Sequence, residues 1–299
     1  MLERKLKTAL DESRLLILGA QVLFGFQFQS AFQERFVELP PFSRSCLAAS
    51  LVLLLASVGL LIAPSLHHQI RFGGESRAAA IRTATFFAGA SLLPLTLGLG
   101  LSTYVVFALL FGAIAGVSIG VALAVFSLLL LYGWGLVIRV PQQETAMPDE
   151  KPTALATKIE QLLTEARVII PGGQALLGFQ LVAMLTKSFG ELPFVAQLCH
   201  AAGLCAVAVA VTLLMTPAAL HRLAFGGAET ARFVSLASPL IIAATVPLAA
   251  GIAADVGVVF WKITESRAVA FGAGGTALLT LLTLWIVYPV LRRASLERR

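Results

Sequence analysis

The chain has 299 residues, of which 58% are hydrophobic and only 13% are charged, and its formal net charge is +6. Soluble domains carry about 25% charged residues, so this composition excludes a soluble globular protein, a disordered chain and a collagen-like fibre. The mean hydropathy of +0.88 predicts an integral membrane protein.

Eight apolar stretches are long enough to cross the membrane as helices, which takes about 20 residues for about 30 Å of hydrocarbon. In chain order they are Leu15–Phe32, Cys46–Leu66, Ala78–Ser102, Val106–Val137, Val168–Leu185, Phe194–Leu214, Phe233–Ala254 and Val269–Leu291. These are continuous runs rich in Leu and Ala, which favours helices over the alternating strands of a membrane barrel. A lead segment with Leu2, Leu6 and Leu10 precedes the first span and is predicted to be an amphipathic helix along the inner leaflet.

Positive charges lie mainly on one side of the predicted spans. Of the 22 lysines and arginines, the only ones on the opposite side are Arg35, Arg44, Lys187, Lys262 and Arg267. Because cytoplasmic loops are enriched in Lys and Arg, we expect both termini to be cytoplasmic in a bacterial inner membrane. The basic residues form no stripe interleaved with aromatics, which argues against a nucleic-acid partner.

The sequence repeats itself at an offset of 153 residues. Matching segments are Gly25-Phe26-Gln27 with Gly178-Phe179-Gln180, Glu38-Leu39-Pro40 with Glu191-Leu192-Pro193, and Phe72-Gly73-Gly74 with Phe225-Gly226-Gly227. This predicts a first four-span repeat at residues 1–140, a cytoplasmic linker at 141–153 and a second four-span repeat at 154–299. Because four is an even number, the two repeats must be parallel and related by a pseudo-twofold axis along the membrane normal.

Several motifs within each repeat point to a known family. The first repeat carries Leu-x-Glu-x-Arg from Leu10, Gln-x-Leu-x-Gly-Phe from Gln21, Phe-x-x-Leu from Phe36 and Ala-Pro-x-x-x-His from Ala63. With these motifs the chain resembles an uncharacterised bacterial family of four-span membrane proteins, here as a fused tandem duplicate. The second repeat departs from the pattern at Thr216, which stands where the first has Ala63. The resemblance implies the helical fold and assigns no catalytic or binding residue.

Four glutamines lie within the first and fifth predicted spans, namely Gln21, Gln27, Gln174 and Gln180. A polar side chain in hydrocarbon costs free energy unless it has a partner. The glutamines are therefore either interhelical hydrogen-bonding residues, worth about 0.6 to 2 kcal/mol each, or ligands for a small solute or cation between the repeats.

Two further pairs of equivalent residues are candidates for gating or helix kinks. Pro94 and Pro247 lie inside the third and seventh spans, where each proline frees a backbone carbonyl. His68 and His221 lie at the inner ends of the second and sixth spans, where a protonated histidine would stabilise a helix C-terminus. A proton-sensing role is the alternative for these histidines, because histidine titrates near neutral pH.

None of the 16 acidic residues falls in the middle of a predicted span, and Asp255 is placed at an outer end. Proton- or sodium-coupled carriers usually hold an ionisable group near the midplane, so this absence argues against the cation–proton antiport suggested for similar sequences. His200 is interpreted as a packing residue, because Cys199, His200 and Cys205 lack a metal-ligand spacing. Catalytic motifs are also absent, so we expect no enzyme activity, metal or cofactor.

Two functional hypotheses follow from these observations. The first is binding or passage of a small solute or ion between the two repeats. The alternative is a non-transporting membrane scaffold or accessory subunit, in which the Phe-Gly-Gly loops or lead helices dock a membrane protein partner. In both hypotheses the lipid bilayer is a partner of the chain.

Overall fold

A computed structural model describes residues 2–75, 77–137, 154–221, 225 and 230–297, without the side chains of residues 2–15, 130, 133–137 and 295–297. These residues form helices and no strand. The helices are α1 (Leu2–Ser30), α2 (Pro41–Phe72), α3 (Ala78–Phe111), α4 (Ala113–Val137), α5 (Leu155–Met184), α6 (Lys187–Gly190), α7 (Phe194–Ala219), α8 (Ala231–Thr264), α9 (Arg267–Leu282) and α10 (Tyr288–Glu297). A 3₁₀ turn (Glu34–Glu38) follows α1, and a π-helical turn (Thr283–Val287) joins α9 to α10. The predicted linker at 141–153 lies outside the described residues.

Glycine and proline set several helix ends. Pro41 occupies the first position of α2, where its missing N–H costs nothing. Gly73, with φ of 58°, ends this helix, and its N–H donates to the His68 carbonyl. Gly112, with φ of 88°, separates α3 from α4. The boundary predicted between Ser102 and Val106 was therefore wrong. Hydropathy is continuous across Gly112, and only the backbone conformation of this glycine marks the break.

Six of the helices are long and apolar enough to span a membrane, namely α2, α3, α5, α7, α8 and the continuous run from Arg267 to Ala294. The segments Leu16–Ser30 of α1 and Ala113–Leu129 of α4 are apolar but shorter. The described residues are thus all-helical, and their long apolar helices are compatible with a membrane protein. The count of eight spans stays a prediction. The lead segments are not separate helices, because α1 and α5 each continue without a break from the lead into the apolar run.

Helix packing joins the two repeats through α1 and α5, which run against each other, and through α2, which packs against α8 and the end of the last span. Buried apolar side chains of both repeats form one continuous core. We call the end with the 3₁₀ turn and α6 the predicted outer end, and the opposite end the predicted inner end. The predicted pseudo-twofold axis is not established by this packing.

The fourth spans of the two repeats pack differently. In the second repeat, fully buried Trp285 donates from Nε1 to the Gly59 carbonyl of α2, at 2.9 Å. The equivalent residue of the first repeat, Tyr132, instead donates to the Gly89 carbonyl of α3 at 2.6 Å, within its own repeat. The last span therefore packs across the repeat boundary, whereas α4 makes the equivalent hydrogen bond to α3 of its own repeat.

Candidate functional site

A buried polar cluster joins three helices of the second repeat, and we call Asp255, His200 and Gln180 the His200 cluster. All three residues are fully buried. Nδ1 of His200 lies 3.1 Å from Oδ1 of Asp255, and the Gln180 side chain donates to Oδ2 of Asp255 at 2.8 Å. Nε2 of His200 lies 3.1 Å from the backbone carbonyl of Gln180. The cluster thus holds α5, α7 and α8 together around a carboxyl group and an imidazole.

The hydrogen bonds of His200 determine where protons lie in this cluster. A backbone carbonyl only accepts hydrogen bonds, so Nε2 of His200 carries a proton. The contact between Nδ1 and Asp255 then needs a second proton, held either by an imidazolium facing a carboxylate or by a carboxylic acid facing a neutral imidazole. In both states the pair is neutral overall, which is what a buried site tolerates. The pair therefore shares one proton.

Asp255 lies inside its helix, which corrects its predicted position at the end of a span. It precedes the end of α8 at Thr264 by nine residues, and it lies about 10 Å along the helix from Lys262 at about 1.5 Å per residue. The apolar run continues past Asp255 to Trp261, so the hydropathy signal for a buried carboxylate was present in the sequence. The expectation that no acidic residue lies in the middle of a span rested on a predicted span end at Ala254, whereas α8 continues to Thr264.

The first repeat has a neutral cluster at the equivalent positions, and we call Gln27, Ser50, Ser102 and the Leu47 carbonyl the Ser102 cluster. Gln27 corresponds to Gln180, Leu47 to His200 and Ser102 to Asp255 at the offset of 153 residues. Gln27 donates from Nε2 to the Leu47 carbonyl at 3.2 Å and accepts from the Ser102 hydroxyl at 3.1 Å. Ser50 and Ser102 lie 2.7 Å apart through their hydroxyls. The same location is therefore ionisable in one repeat and neutral in the other.

Helix α1 contacts both clusters through two adjacent residues. Gln27 belongs to the Ser102 cluster, and the ring of Phe28 stacks on His200 at 5.6 Å with an interplanar angle of 8°. Phe189 meets the other side of His200 edge-on at 4.9 Å, and Phe32 packs against Phe189. The His200 cluster thus lies at the junction of the repeats under an aromatic cover.

A small cavity of about 220 Å³ lies beside the His200 cluster, between α7, α8 and α9. Its wall includes Cys199 and Ala254, which are the chain neighbours of His200 and Asp255. The oxygen Oε1 of Gln180 is buried and accepts no hydrogen bond from any described residue. The site therefore has an unused acceptor, whereas the wall of the cavity includes none of the three residues of the cluster. The described residues include no group of three or more His, Cys, Asp or Glu that could hold a metal.

The four predicted glutamines do not form one site. Gln21 is buried at the contact of α1 with α5, where a side chain on Gly172 would overlap its amide. Gln174, its equivalent, is exposed on α5. Gln27 and Gln180 belong to the two separate clusters described above. Of the four, Gln180 is the residue that the structure places beside ionisable groups.

His68 belongs to a second polar cluster at the predicted inner end, where it joins the two repeats. Its Nδ1 lies 2.6 Å from Oε1 of Glu165, and Gln69 donates to Oε2 of the same carboxylate at 2.5 Å. Ser238 in turn donates to the side-chain oxygen of Gln69 at 2.8 Å. His68 and Glu165 are buried, so the imidazole is held by a carboxylate of the other repeat rather than capping its own helix.

The remaining predicted residues are placed apart from these clusters. His221 packs its ring against Phe233 at 4.9 Å. The sequence equivalent of the His68–Glu165 pair is His221 with Glu12, and the Glu12 side chain lies outside the described residues. Helices α3 and α8 are continuous through Pro94 and Pro247, so a kink or gate at these prolines stays a prediction.

Comparison with known proteins agrees with the internal duplication. Residues 1–135 and residues 149–289 each match the family of unknown function DUF6328. The chain belongs to the DUF6328 family. Two matches in one chain are consistent with a tandem duplicate of a DUF6328 unit. No curated protein and no solved structure matches the chain.

Proposed function

We propose that this DUF6328 protein binds and releases a proton at the His200 cluster, and couples this step to the passage of a small cation or polar solute through the membrane. The observation that carries the proposal is the difference between equivalent clusters. Gln27, Ser102 and a backbone carbonyl hold the helices of the first repeat together without any charge. An ionisable pair inside a membrane is costly and marks a functional site by default. Helix packing alone does not require an ionisable pair in the second repeat.

The chemistry of the cluster supports exchange of a proton for a cation. Loss of the shared proton leaves the Asp255 carboxylate beside a neutral imidazole, so the site gains one negative charge. A buried negative charge needs a counter-ion. The carboxylate and the free Oε1 of Gln180 are both oxygen ligands of the kind that hard cations prefer. A cation at this place would therefore compete with the proton.

The proposal places the termini on the cytoplasmic side of a bacterial inner membrane, in accordance with the charge bias. It involves binding and passage rather than catalysis. The rival role is that of a scaffold or accessory subunit, in which both clusters only hold helices together by hydrogen bonds. The two roles differ in one respect that can be measured, which is whether removal of the ionisable groups changes ion movement.

Proton movement in reconstituted vesicles tests the proposal. The purified protein is placed in liposomes with a trapped pH-sensitive dye, and outward gradients of Na⁺ or K⁺ are imposed in turn. We expect a cation-dependent pH change with the native chain and its loss in the Asp255→Asn and His200→Gln variants. The matched control is Ser102→Ala at the equivalent position of the first repeat, which should retain the pH change. All three variants must first elute as folded protein in detergent.

Two results would count against coupled transport. An unchanged rate of pH change in folded Asp255→Asn protein would show that proton movement does not depend on the carboxylate. Absence of any pH change with the native chain under both gradients would favour the scaffold role, and co-purification with a membrane partner would then be the next measurement.

A further inference from the structure

A groove of about 1010 Å³ lies on the outside of the bundle, between α2 and α3 on one side and α9 and α10 on the other. Its wall is mainly apolar, and two of its residues, Phe86 and Leu279, are each 68% exposed. Along the last span it extends from Gly272 to Tyr288, about 24 Å at about 1.5 Å per residue. One leaflet of hydrocarbon is about 15 Å deep. The groove is therefore open to lipid and long enough for an acyl chain.

The predicted inner end of the groove holds a buried histidine without hydrogen bonds. His67 is 1% exposed, and its ring lies 4.9 Å from that of Tyr288 and 5.4 Å from that of Phe87. Both of these aromatic residues line the groove. Neither nitrogen of His67 has a hydrogen-bond partner among the described residues. A buried polar group of this kind needs a partner, and a ligand in the groove would be close enough to provide one.

Two arginines converge on the same place. Arg71 follows His67 by one helical turn, and Arg292 follows Tyr288 by one turn, with its guanidinium 5.9 Å from the Tyr288 ring. Because the rings of His67 and Tyr288 lie 4.9 Å apart, both arginines lie one helical turn beyond the same ring contact. Both guanidiniums therefore add positive charge at the predicted inner end of the groove. Guanidinium groups match the geometry of phosphate oxygens.

We propose that the groove binds one anionic phospholipid of the inner leaflet, with its phosphate between Arg71 and Arg292 and an acyl chain along the last span. The apolar wall complements the acyl chain of such a lipid, and the two guanidiniums complement its phosphate. In the second repeat, Leu220 and Ala224 stand at the positions equivalent to His67 and Arg71, so the duplication does not repeat these two residues. The inference is independent of the His200 cluster.

Native mass spectrometry of the detergent-purified protein tests the site. The protein is titrated with phosphatidylglycerol, phosphatidylcholine and inorganic phosphate in separate series. We expect one tightly bound phosphatidylglycerol per chain, weaker binding of phosphatidylcholine, and no displacement of the lipid by inorganic phosphate. The double variant Arg71→Gln with Arg292→Gln should lose about tenfold or more in phosphatidylglycerol affinity. The exposed Arg82→Gln variant, which removes a nearby charge outside the groove, should bind like the native chain.

A steric variant tests the groove without changing charge. Thr276 is exposed into the groove, so Thr276→Trp should weaken phosphatidylglycerol binding, whereas Ala49→Trp, on an exposed part of α2 outside it, should not. Equal affinity for both lipids, or native affinity in the double arginine variant, would overturn the proposal. Displacement of the lipid by inorganic phosphate would also overturn it, because the site would then recognise free phosphate.

Discussion

The imidazole of His68 in the first repeat lies 2.6 Å from the carboxylate of Glu165 in the second, and both side chains are buried. This contact joins the predicted inner end of α2 to α5 across the repeat boundary. Gln69 donates to the same carboxylate, so Glu165 is the acceptor on which both residues of α2 depend. The two repeats are therefore joined by a polar contact in addition to their apolar core.

Removing this carboxylate should destabilise the protein. Glu165→Ala leaves two buried polar groups of α2 without their acceptor, and we expect the free energy of unfolding to fall by about 3 kcal/mol or more. The control is Glu38→Ala, which breaks an exposed ion pair with Arg35 at 2.9 Å and should cost less than about 1 kcal/mol. Equilibrium unfolding in detergent measures both. Equal stability of the two variants would show that the repeats do not depend on this contact.

At the contact of α1 with α5, equivalent glycines of the two repeats have different amounts of space around them. A Cβ on Gly25 would overlap the ring of Phe179, whereas a Cβ on its equivalent, Gly178, would meet no atom within 4 Å. Gly25→Ala should therefore lower the free energy of unfolding by about 1 to 3 kcal/mol through overpacking. Gly178→Ala should leave it unchanged or raise it slightly, because alanine favours helix. The same cost in both variants would mean that α1 and α5 pack symmetrically, which contradicts the structure.

The docking of the last span depends on Trp285. Trp285→Phe retains most of the ring but removes the N–H that donates to Gly59, and we expect a loss of about 1 kcal/mol in thermal unfolding experiments. Trp285→Ala should cost more, about 3 to 5 kcal/mol, because it also leaves a cavity. Leu279→Ala, at a side chain that is 68% exposed, serves as the control and should change stability by less than about 0.5 kcal/mol.

Water access to the His200 cluster can be measured with the native cysteines. Cys199 lines the small cavity beside the cluster, and Cys46 is 7% exposed within the core. With Cys199 as the only cysteine, a membrane-impermeant thiol reagent should label the protein in liposomes, because a proton-exchange site needs contact with water. A variant with Cys46 alone should remain unlabelled. Protection of Cys199 in folded protein would indicate a dry cluster and speak against the proposed transport.

The candidate site was predicted only in part. Gln180 was chosen because a polar residue in an apolar run needs a partner, and the structure provides Asp255 as that partner. His200 was interpreted as packing, because it lacks a metal-ligand spacing to Cys199 and Cys205. Its actual partners are 20 and 55 residues away in the chain. Spacing along one helix cannot reveal a cluster built from three helices.

Composition and apolar run length alone predicted a bundle of membrane helices, because a chain with 13% charged residues cannot cover an apolar core in water. The described residues form long apolar helices that are compatible with this prediction. The offset of 153 residues likewise revealed the duplication, since it depends only on comparing the chain with itself. The tertiary structure decided which equivalent residues act alike. Gln21 is buried and Gln174 is exposed, and Trp285 bonds across the repeat boundary whereas Tyr132 bonds within its own repeat. Each environment is created by neighbouring helices that the repeat pattern does not specify.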